Sequence, residues 1–359
     1  MRETDRRAFR QSGGDSSVRR AVIALTSPRP IWSIPSKYVS VIREAFGSEW
    51  DVVQVSAPIS SDGDGAGRCD AAEEAAHGAE VYFGWGVPGS VVRVAGEALR
   101  WVHSAAAGVG GSITSELRSS RALLTNSRVV HAEPVAEWVL AAILFCARGF
   151  LWAAAAKAEH RWAKPELASL NTPIRELTEL RVGIIGMGGI GRAVARRCSA
   201  VGMHVSGVRR SPSRRLPRGV RWIGGPGDLL EMARRSDVLV IAAPHTAETR
   251  GLVDGRILAA LPPGAYILNV ARGALLDEEA LLVHLNSGHL GGCVLDVFAT
   301  EPLPKDHPFW DHPKVFVTPH VSGVSLRFWE REVELITDNI NRYLRGIRLK
   351  NVVNIKAGY

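Results

Sequence analysis

Short apolar runs alternate with stretches of helical periodicity along most of the chain. Residues 21–26 (AVIALT), 51–57 (DVVQVSA) and 80–86 (EVYFGWG) predict strands, as does the head of RWVHSAAAGVGG (100–111) before its small-residue loop. Between them SKYVSVIREAF (36–46) and SVVRVAGEAL (90–99) carry apolar residues at helical spacing, and a Gly-rich loop in 63–80 passes into helix. VAEWVLAAILFCARGFLWAAAA (135–156) predicts one long helix within 131–155, with Ala136 and Glu137 near its head. The alternation then restarts. Strands are predicted in 181–186 (RVGIIG), 204–208 (HVSGV), 237–244 (DVLVIAAP), 265–271 (AYILNVA), 291–298 (GGCVLDVF) and 315–319 (VFVTP). Helices are predicted in 188–202, 227–236 and 277–288, and residues 325–346 form a last amphipathic helix. Strands alternating with helices imply parallel sheets. We therefore expect an α/β protein of two Rossmann-like domains: residues 21–130 completed by 323–359, and residues 131–322. Residues 1–20, polar and without an apolar core, are expected to be a disordered leader.

Length agrees: 359 residues exceed one compact domain of ordinary size. The net charge of +8 raises nucleic-acid binding, but the arginines are dispersed and no zinc-finger spacing occurs, so no nucleic-acid partner is expected. Residues 135–156 carry Glu137 and Arg148 and have too short an uninterrupted apolar run to span a bilayer; no membrane is expected. The four cysteines lie far apart without a C-x-x-C, which points away from a disulfide framework or a zinc site and towards a reducing cytoplasm. No metal site is expected.

The strongest local signal is Gly186-Met187-Gly188-Gly189-Ile190-Gly191, a G-x-G-x-x-G that follows a strand and opens a helix. Gly186 makes the turn, Gly188 lets backbone approach a pyrophosphate, Gly191 lets helix and strand pack, and the helix N-terminus offers free N–H groups to phosphate. Some 20 residues on, a dinucleotide fold that takes NAD places a carboxylate for the ribose 2′-OH. Here Val208 is followed by Arg209, Arg210 and Ser211. Arginine cannot accept those hydrogen bonds, but it forks onto a phosphate. NADP is therefore the expected cofactor, with NAD possible, and Arg214 and Arg215 are expected as solvated charge at the rim.

Three further stretches, ILNVARGALLDEEAL (267–281), GGCVLDVFATEPLP (291–304) and FVTPHVSG (316–323), together with this loop, resemble the D-isomer-specific 2-hydroxyacid dehydrogenases. The resemblance is to the branch that reduces glyoxylate and hydroxypyruvate, and covers nearly the whole chain beyond the leader. It implies a flavodoxin-like substrate domain, a dinucleotide-binding domain and a cleft between them. It also implies a catalytic trio of Arg272 on the substrate, His320 as acid/base and Glu301 as its partner. Asp296 is implied near the nicotinamide. Ala243, Pro244 and Thr249 are implied on the adenosine side, and Ala107, Val270, Ala271, Ser322 and Gly323 elsewhere along the cofactor. Trp85, Gly86, Ala106, Ala107 and Gly108 are implied at the substrate, and a homodimer through the 131–155 helix and its neighbours. The chemistry is consistent. Reducing a 2-keto acid needs a hydride on carbon and a proton on oxygen. An imidazole near a carboxylate is suited to give the proton, and a guanidinium polarises the carbonyl. Formate oxidation on this scaffold replaces the glutamate by an amide, so Glu301 opposes it. Phosphite oxidation and a nucleotide-sensing corepressor role are the alternatives. Short-chain dehydrogenase chemistry is excluded, since no Tyr has a Lys four residues later.

Overall fold

The computed structural model describes residues 18–59, 67–170, 172–211 and 216–358. Most of the leader, part of the Gly-rich loop of 63–80, and Arg214 and Arg215 lie outside the described residues. The chain forms two compact units, residues 1–130 with 326–359, and residues 131–325.

In unit 1 the order is β1 (Arg19–Ala24), α1 (Ser36–Phe46), β2 (Trp50–Gln54), α2 (Asp70–Ala75), β3 (Val81–Gly84), α3 (Gly89–Ala95), β4 (Trp101–Ser104), α4 (Ser115–Ser119) and β5 (Leu123–Asn126). In unit 2 it is α5 (Ala132–Ala147), α6 (Phe150–Ala158), α7 (Lys164–Leu167), β6 (Arg181–Ile185), α8 (Gly189–Ala200), β7 (His204–Val208), β8 (Val220–Gly224), α9 (Leu229–Arg234), β9 (Val238–Ile241), α10 (Gly255–Ala260), β10 (Tyr266–Asn269), α11 (Glu278–Asn286), β11 (Gly292–Leu295) and β12 (Val315–Val317). The chain then returns to unit 1 with α12 (Phe328–Leu344).

Both sheets are parallel. Unit 1 has the order β2-β1-β3-β4-β5, the flavodoxin-like arrangement. Alternate side chains of its strands enter different cores. Ile23, Phe83 and Trp101 pack with Ile42 of α1 and Ile336 and Ile340 of α12. Val22, Tyr82 and Val102 pack with Ala72 of α2 and Val91 and Val92 of α3. Unit 2 has the order β12-β11-β10-β9-β6-β7-β8, the dinucleotide-binding arrangement. Val182 and Val240 pack under α5 and α8. Ile241, Ile267 and Leu295 pack under α9, α10 and α11.

Four expectations need correction. The leader ends earlier, because Arg19 and Arg20 already pair with Trp50 and Asp51 in the sheet. Arg20 donates to the Asp51 carboxylate at 2.8 Å and Arg19 holds Glu80. The long helix is two helices, α5 and α6, bent by 68°. Gly149 lies between them at φ 75, the left-handed region that ends helices and that glycine enters without strain. No single helix among the described residues is long and apolar enough to cross a membrane. Two strands, β5 and β8, lie where the pattern predicts none. Each ends the strand order of its sheet and has a short apolar run, β5 being bordered on its outer side only by the antiparallel Thr125–Val352 bridge. Finally, the chain leaves unit 2 after Ser325 rather than after residue 322.

α12 is keyed into unit 1 by polar groups as well as apolar ones. His103 of β4 and Glu332 of α12 are both fully buried and meet at 2.8 Å, and the other imidazole nitrogen meets Thr125 Oγ1 at 2.8 Å. Neighbouring Ser104 donates its hydroxyl to Trp85 O and accepts the Ala106 amide, which sets the course of the loop after β4.

Candidate active site

The site of unit 2 is built at the carboxyl ends of its strands. At the end of β6 the chain turns at Gly186, whose φ is 96. A Cβ there would lie 2.6 Å from the Ala243 backbone, and one at Gly191 only 2.0 Å from Gly186 O, so both positions need bare backbone. At Gly188 an added Cβ would meet nothing within 4 Å. It is an exposed position opening onto free space, with the unpaired amides of the first turn of α8 behind it. This is a cradle that fits a pyrophosphate. It sits where β6 borders both β7 and β9, the point at which strand order reverses. Gly186 N donates to Val208 O at 2.9 Å, which ties the loop to the end of β7. Directly after that end come Arg209, half-buried, and Arg210 and Ser211, both exposed.

The residues expected to be catalytic lie at and beyond the ends of β10 and β11. Asn269, fully buried at the end of β10, donates to Arg272 O at 3.0 Å and accepts the Ala271 amide at 3.0 Å. It thereby shapes the turn that presents Arg272. The Arg272 guanidinium is tethered on one side, Nη1 donating to Ala271 O at 2.5 Å. Gly273 is pressed so close to the following segment that a Cβ would lie 1.8 Å from Phe298 C. Arg272 and the 298–301 segment are therefore locked together.

Glu301 uses both carboxylate oxygens. Oε1 accepts the Phe298 amide at 3.0 Å and Oε2 faces His320 Nδ1 at 2.7 Å. An ionised carboxylate only accepts, so Nδ1 carries the hydrogen and Nε2 is the free ring nitrogen. Partial burial pushes the Glu301 carboxyl up. The hydrogen bonds from His320 and the Phe298 amide, with the charges of His320 and Arg272, outweigh that and hold it below its ordinary value.

His320 sits at φ 54, a left-handed conformation, and is held there by its amide donating to Asp296 O at 2.9 Å. The Asp296 carboxylate accepts from Thr318 Oγ1 at 2.5 Å and from the amides of Val321 and Ser322 at 2.8 and 2.9 Å. Expected at the nicotinamide, Asp296 is fully buried, and its carboxylate is occupied by the loop that carries His320. It thereby fixes the course of that loop.

Other expected residues fall as follows. Val270, Ala271 and Ser322 are nearly buried and Gly323 is half-buried around the same turns. Ala243 is buried and Pro244 exposed. The Thr249 hydroxyl closes its own turn, donating to Pro244 O at 2.7 Å and accepting the Thr246 amide at 2.8 Å. That turn already uses the hydroxyl expected at the adenosine. In unit 1, Gly86 is buried and Trp85 is mostly core. The Trp85 ring stacks on Phe328 at 5.5 Å and meets Trp32 and Trp329 edge-on, though its indole N–H has no partner among the described residues. Ala106, Ala107 and Gly108 are half-buried. The Ala106 amide is used by Ser104, whereas the amides of Ala107 and Gly108 make no hydrogen bond among the described residues. Among the described residues no cluster of three or more His, Cys, Asp or Glu side chains could hold a metal ion.

Residues 140–322 match the family described as D-isomer specific 2-hydroxyacid dehydrogenase, NAD binding domain. The chain belongs to the D-isomer specific 2-hydroxyacid dehydrogenases. Within this family, the dehydrogenase is 35% identical over 291 residues to glyoxylate/hydroxypyruvate reductase A of Klebsiella pneumoniae subsp. pneumoniae, a match covering 78% of this chain and 88% of that one. A D-isomer specific 2-hydroxyacid dehydrogenase from Xanthobacter autotrophicus, solved with NADPH and MES, superposes with TM-score 0.77 at 30% identity, covering 96% of this chain and all of that one. An NADPH-dependent glyoxylate/hydroxypyruvate reductase from Sinorhizobium meliloti, solved with NADP and sulfate, gives TM-score 0.74 at 28% identity over 95% of this chain and all of that one. The dehydrogenase thus has an NAD(P)-binding unit of established type.

One prediction concerns Glu301 and acid. A carboxyl held low in the folded state stabilises above the ordinary carboxylate range, near pH 4.3, and that contribution is lost as pH falls through the lower folded value. Glu301→Gln removes it. The unfolding temperature of the variant should therefore fall less steeply than that of the wild type below about pH 4. Parallel acid limbs of the two melting curves would contradict this.

Proposed function

We propose that this dehydrogenase reduces a small 2-keto acid of the glyoxylate or hydroxypyruvate type to the D-2-hydroxy acid, preferring NADPH. The observation that carries the reading is the 2.7 Å bond between His320 Nδ1 and Glu301, with Arg272 locked beside the same segment. Glu301 holds Nδ1–H, and the imidazolium form of His320 gives its Nε2 proton to the carbonyl oxygen of the substrate, leaving the neutral Nδ1–H ring. The Arg272 guanidinium forks onto the substrate carboxylate and polarises the carbonyl as negative charge grows on its oxygen. Ala106, Ala107, Gly108, Trp85 and Gly86 are assigned to the substrate, the free amides of Ala107 and Gly108 suiting a carboxylate oxygen. Gly186, Gly188, Gly189, Ile190 and Gly191 would hold the pyrophosphate; Ala243, Pro244, Val270, Ala271, Ser322 and Gly323 would line the rest of the cofactor. When bound, the nicotinamide supplies the hydride. Arg209 and Arg210, with Ser211, would take the 2′-phosphate. The exposed Phe150 and Trp162 around α6 support a homodimer, and unpaired cysteines fit a reducing cytoplasm.

The test is nicotinamide oxidation by the purified protein with glyoxylate and hydroxypyruvate. NADPH should be favoured over NADH at least tenfold in kcat/KM, about 1.4 kcal/mol of transition-state discrimination. Arg209→Asp should remove most of that ratio. A wild type that prefers NADH would sink the role given to the arginines. No turnover with either keto acid would sink the activity.

A further inference from the structure

Behind Glu301 lies a second carboxylate–histidine pair that the mechanism above does not use. Glu278 stands in the first turn of α11, capped by Asp277. Its Oε1 accepts the amide of Ala299 at 2.8 Å, one residue past the Phe298 amide that Glu301 accepts. Its Oε2 lies 3.7 Å from His307 Nε2. His307 Nδ1 accepts the Phe309 amide at 3.3 Å, so the hydrogen of that ring sits on Nε2, facing Glu278. The two glutamates thus grip consecutive amides of one segment. Glu278 is close enough to Glu301 for their charges to repel, and burial with that repulsion pushes the Glu278 carboxyl above its ordinary value.

We propose that Glu278 is a positioning residue for the Glu301–His320 pair, holding the 298–301 segment by the Ala299 amide and adding its charge to the field that Glu301 exerts on the imidazole. The charged and titratable groups around it are Asp277 and Glu279 on its own helix, His307 from the segment after β11, and Glu301 with Arg272 and His320 beyond. At His320 itself the Asp296 carboxylate, which accepts the amides of Val321 and Ser322, joins Glu301 and Glu278 in favouring the protonated ring, and Arg272 opposes it. The catalytic consequence rests on the proposed function, but the structural device does not.

Glu278→Gln separates the two parts, since the amide oxygen still accepts from Ala299 while the charge is gone. In the full chain the His320 imidazole resonances, identified by their loss in His320→Ala, are followed by NMR as pH is varied. The midpoint of that titration should fall by about half a pH unit in Glu278→Gln. Glu278→Asp, which keeps the charge on a shorter stem, should stay within about 0.2 unit of the wild type. In the working enzyme, the alkaline limb of kcat/KM for reduction should move down with the midpoint, because proton donation then fails at lower pH. A midpoint that is unchanged or raised in Glu278→Gln, or that falls as far with aspartate as with glutamine, overturns the proposal. The titration needs no turnover. A wild type that reduces no keto acid would therefore sink the proposed function and leave this test standing.

Discussion

His320→Gln lowers kcat for keto-acid reduction by about 10²–10⁴-fold, the range associated with losing a positioned general acid. The imidazole is placed for that task by three independent devices. Its backbone is held left-handed by Asp296 O, its loop is held by the Asp296 carboxylate, and its Nδ1–H is held by Glu301. Glutamine keeps the size and polarity but has no proton to give at neutral pH. Because the expected pyrophosphate cradle is made by a different part of unit 2, NADPH binding, read by fluorescence titration, should change less than about threefold. A variant that keeps more than a tenth of the wild-type kcat would remove His320 from the acid role. A variant that loses cofactor affinity in proportion to kcat would point to a collapsed site.

Arg272→Lys lowers kcat/KM by about 10²–10³-fold, equivalent to about 2.7–4 kcal/mol of transition-state stabilisation. Lysine keeps the charge that favours the Glu301 carboxylate, so the pH profile should hold its shape. It loses the planar fork, and with it the simultaneous grip on carboxylate and carbonyl. Asn269 and Gly273 fix the turn beneath residue 272 so tightly that the backbone cannot shift to bring an ammonium into the place of a guanidinium. A loss confined to KM would mean that Arg272 only binds. A loss under tenfold would mean that charge alone suffices.

Much of this architecture was legible in the sequence because buried parallel strands read as unbroken apolar runs. RVGIIG and AYILNVA announce themselves, and a glycine pattern between a strand and a helix has a physical meaning of its own. The edges were harder to read. β5 and β8 are the last strands of their sheets, and their short, mixed composition resembles loop. The break at Gly149 was visible in principle, since Arg148-Gly149 interrupts the apolar run, but alanines on both sides favour helix and mask it. At the site, the family resemblance implied the trio, whereas the groups that hold those three side chains did not stand out. Asn269 left one signal, a lone amide in an otherwise apolar strand, and such a residue is seldom buried without a task. Asp296 stood out as a carboxylate at a strand end, but its part in holding the His320 loop through Thr318, Val321 and Ser322 left no mark in the sequence. Glu278 is one of three consecutive acidic residues at a helix start, where a negative charge already has a sufficient reason in the helix dipole.

The return of α12 to unit 1 has a consequence for the order in which the molecule is made. Phe328, Trp329, Ile336 and Ile340 fill the core between β1, β3, β4 and α1, and Glu332 meets the buried His103. Until those residues leave the ribosome, the first 130 residues have an open apolar face and a buried imidazole without its carboxylate. Residues 131–325 need nothing from either end to complete their own sheet. The unit translated second is thus the first able to close, and the nascent chain must carry an unfinished opening domain through most of its synthesis.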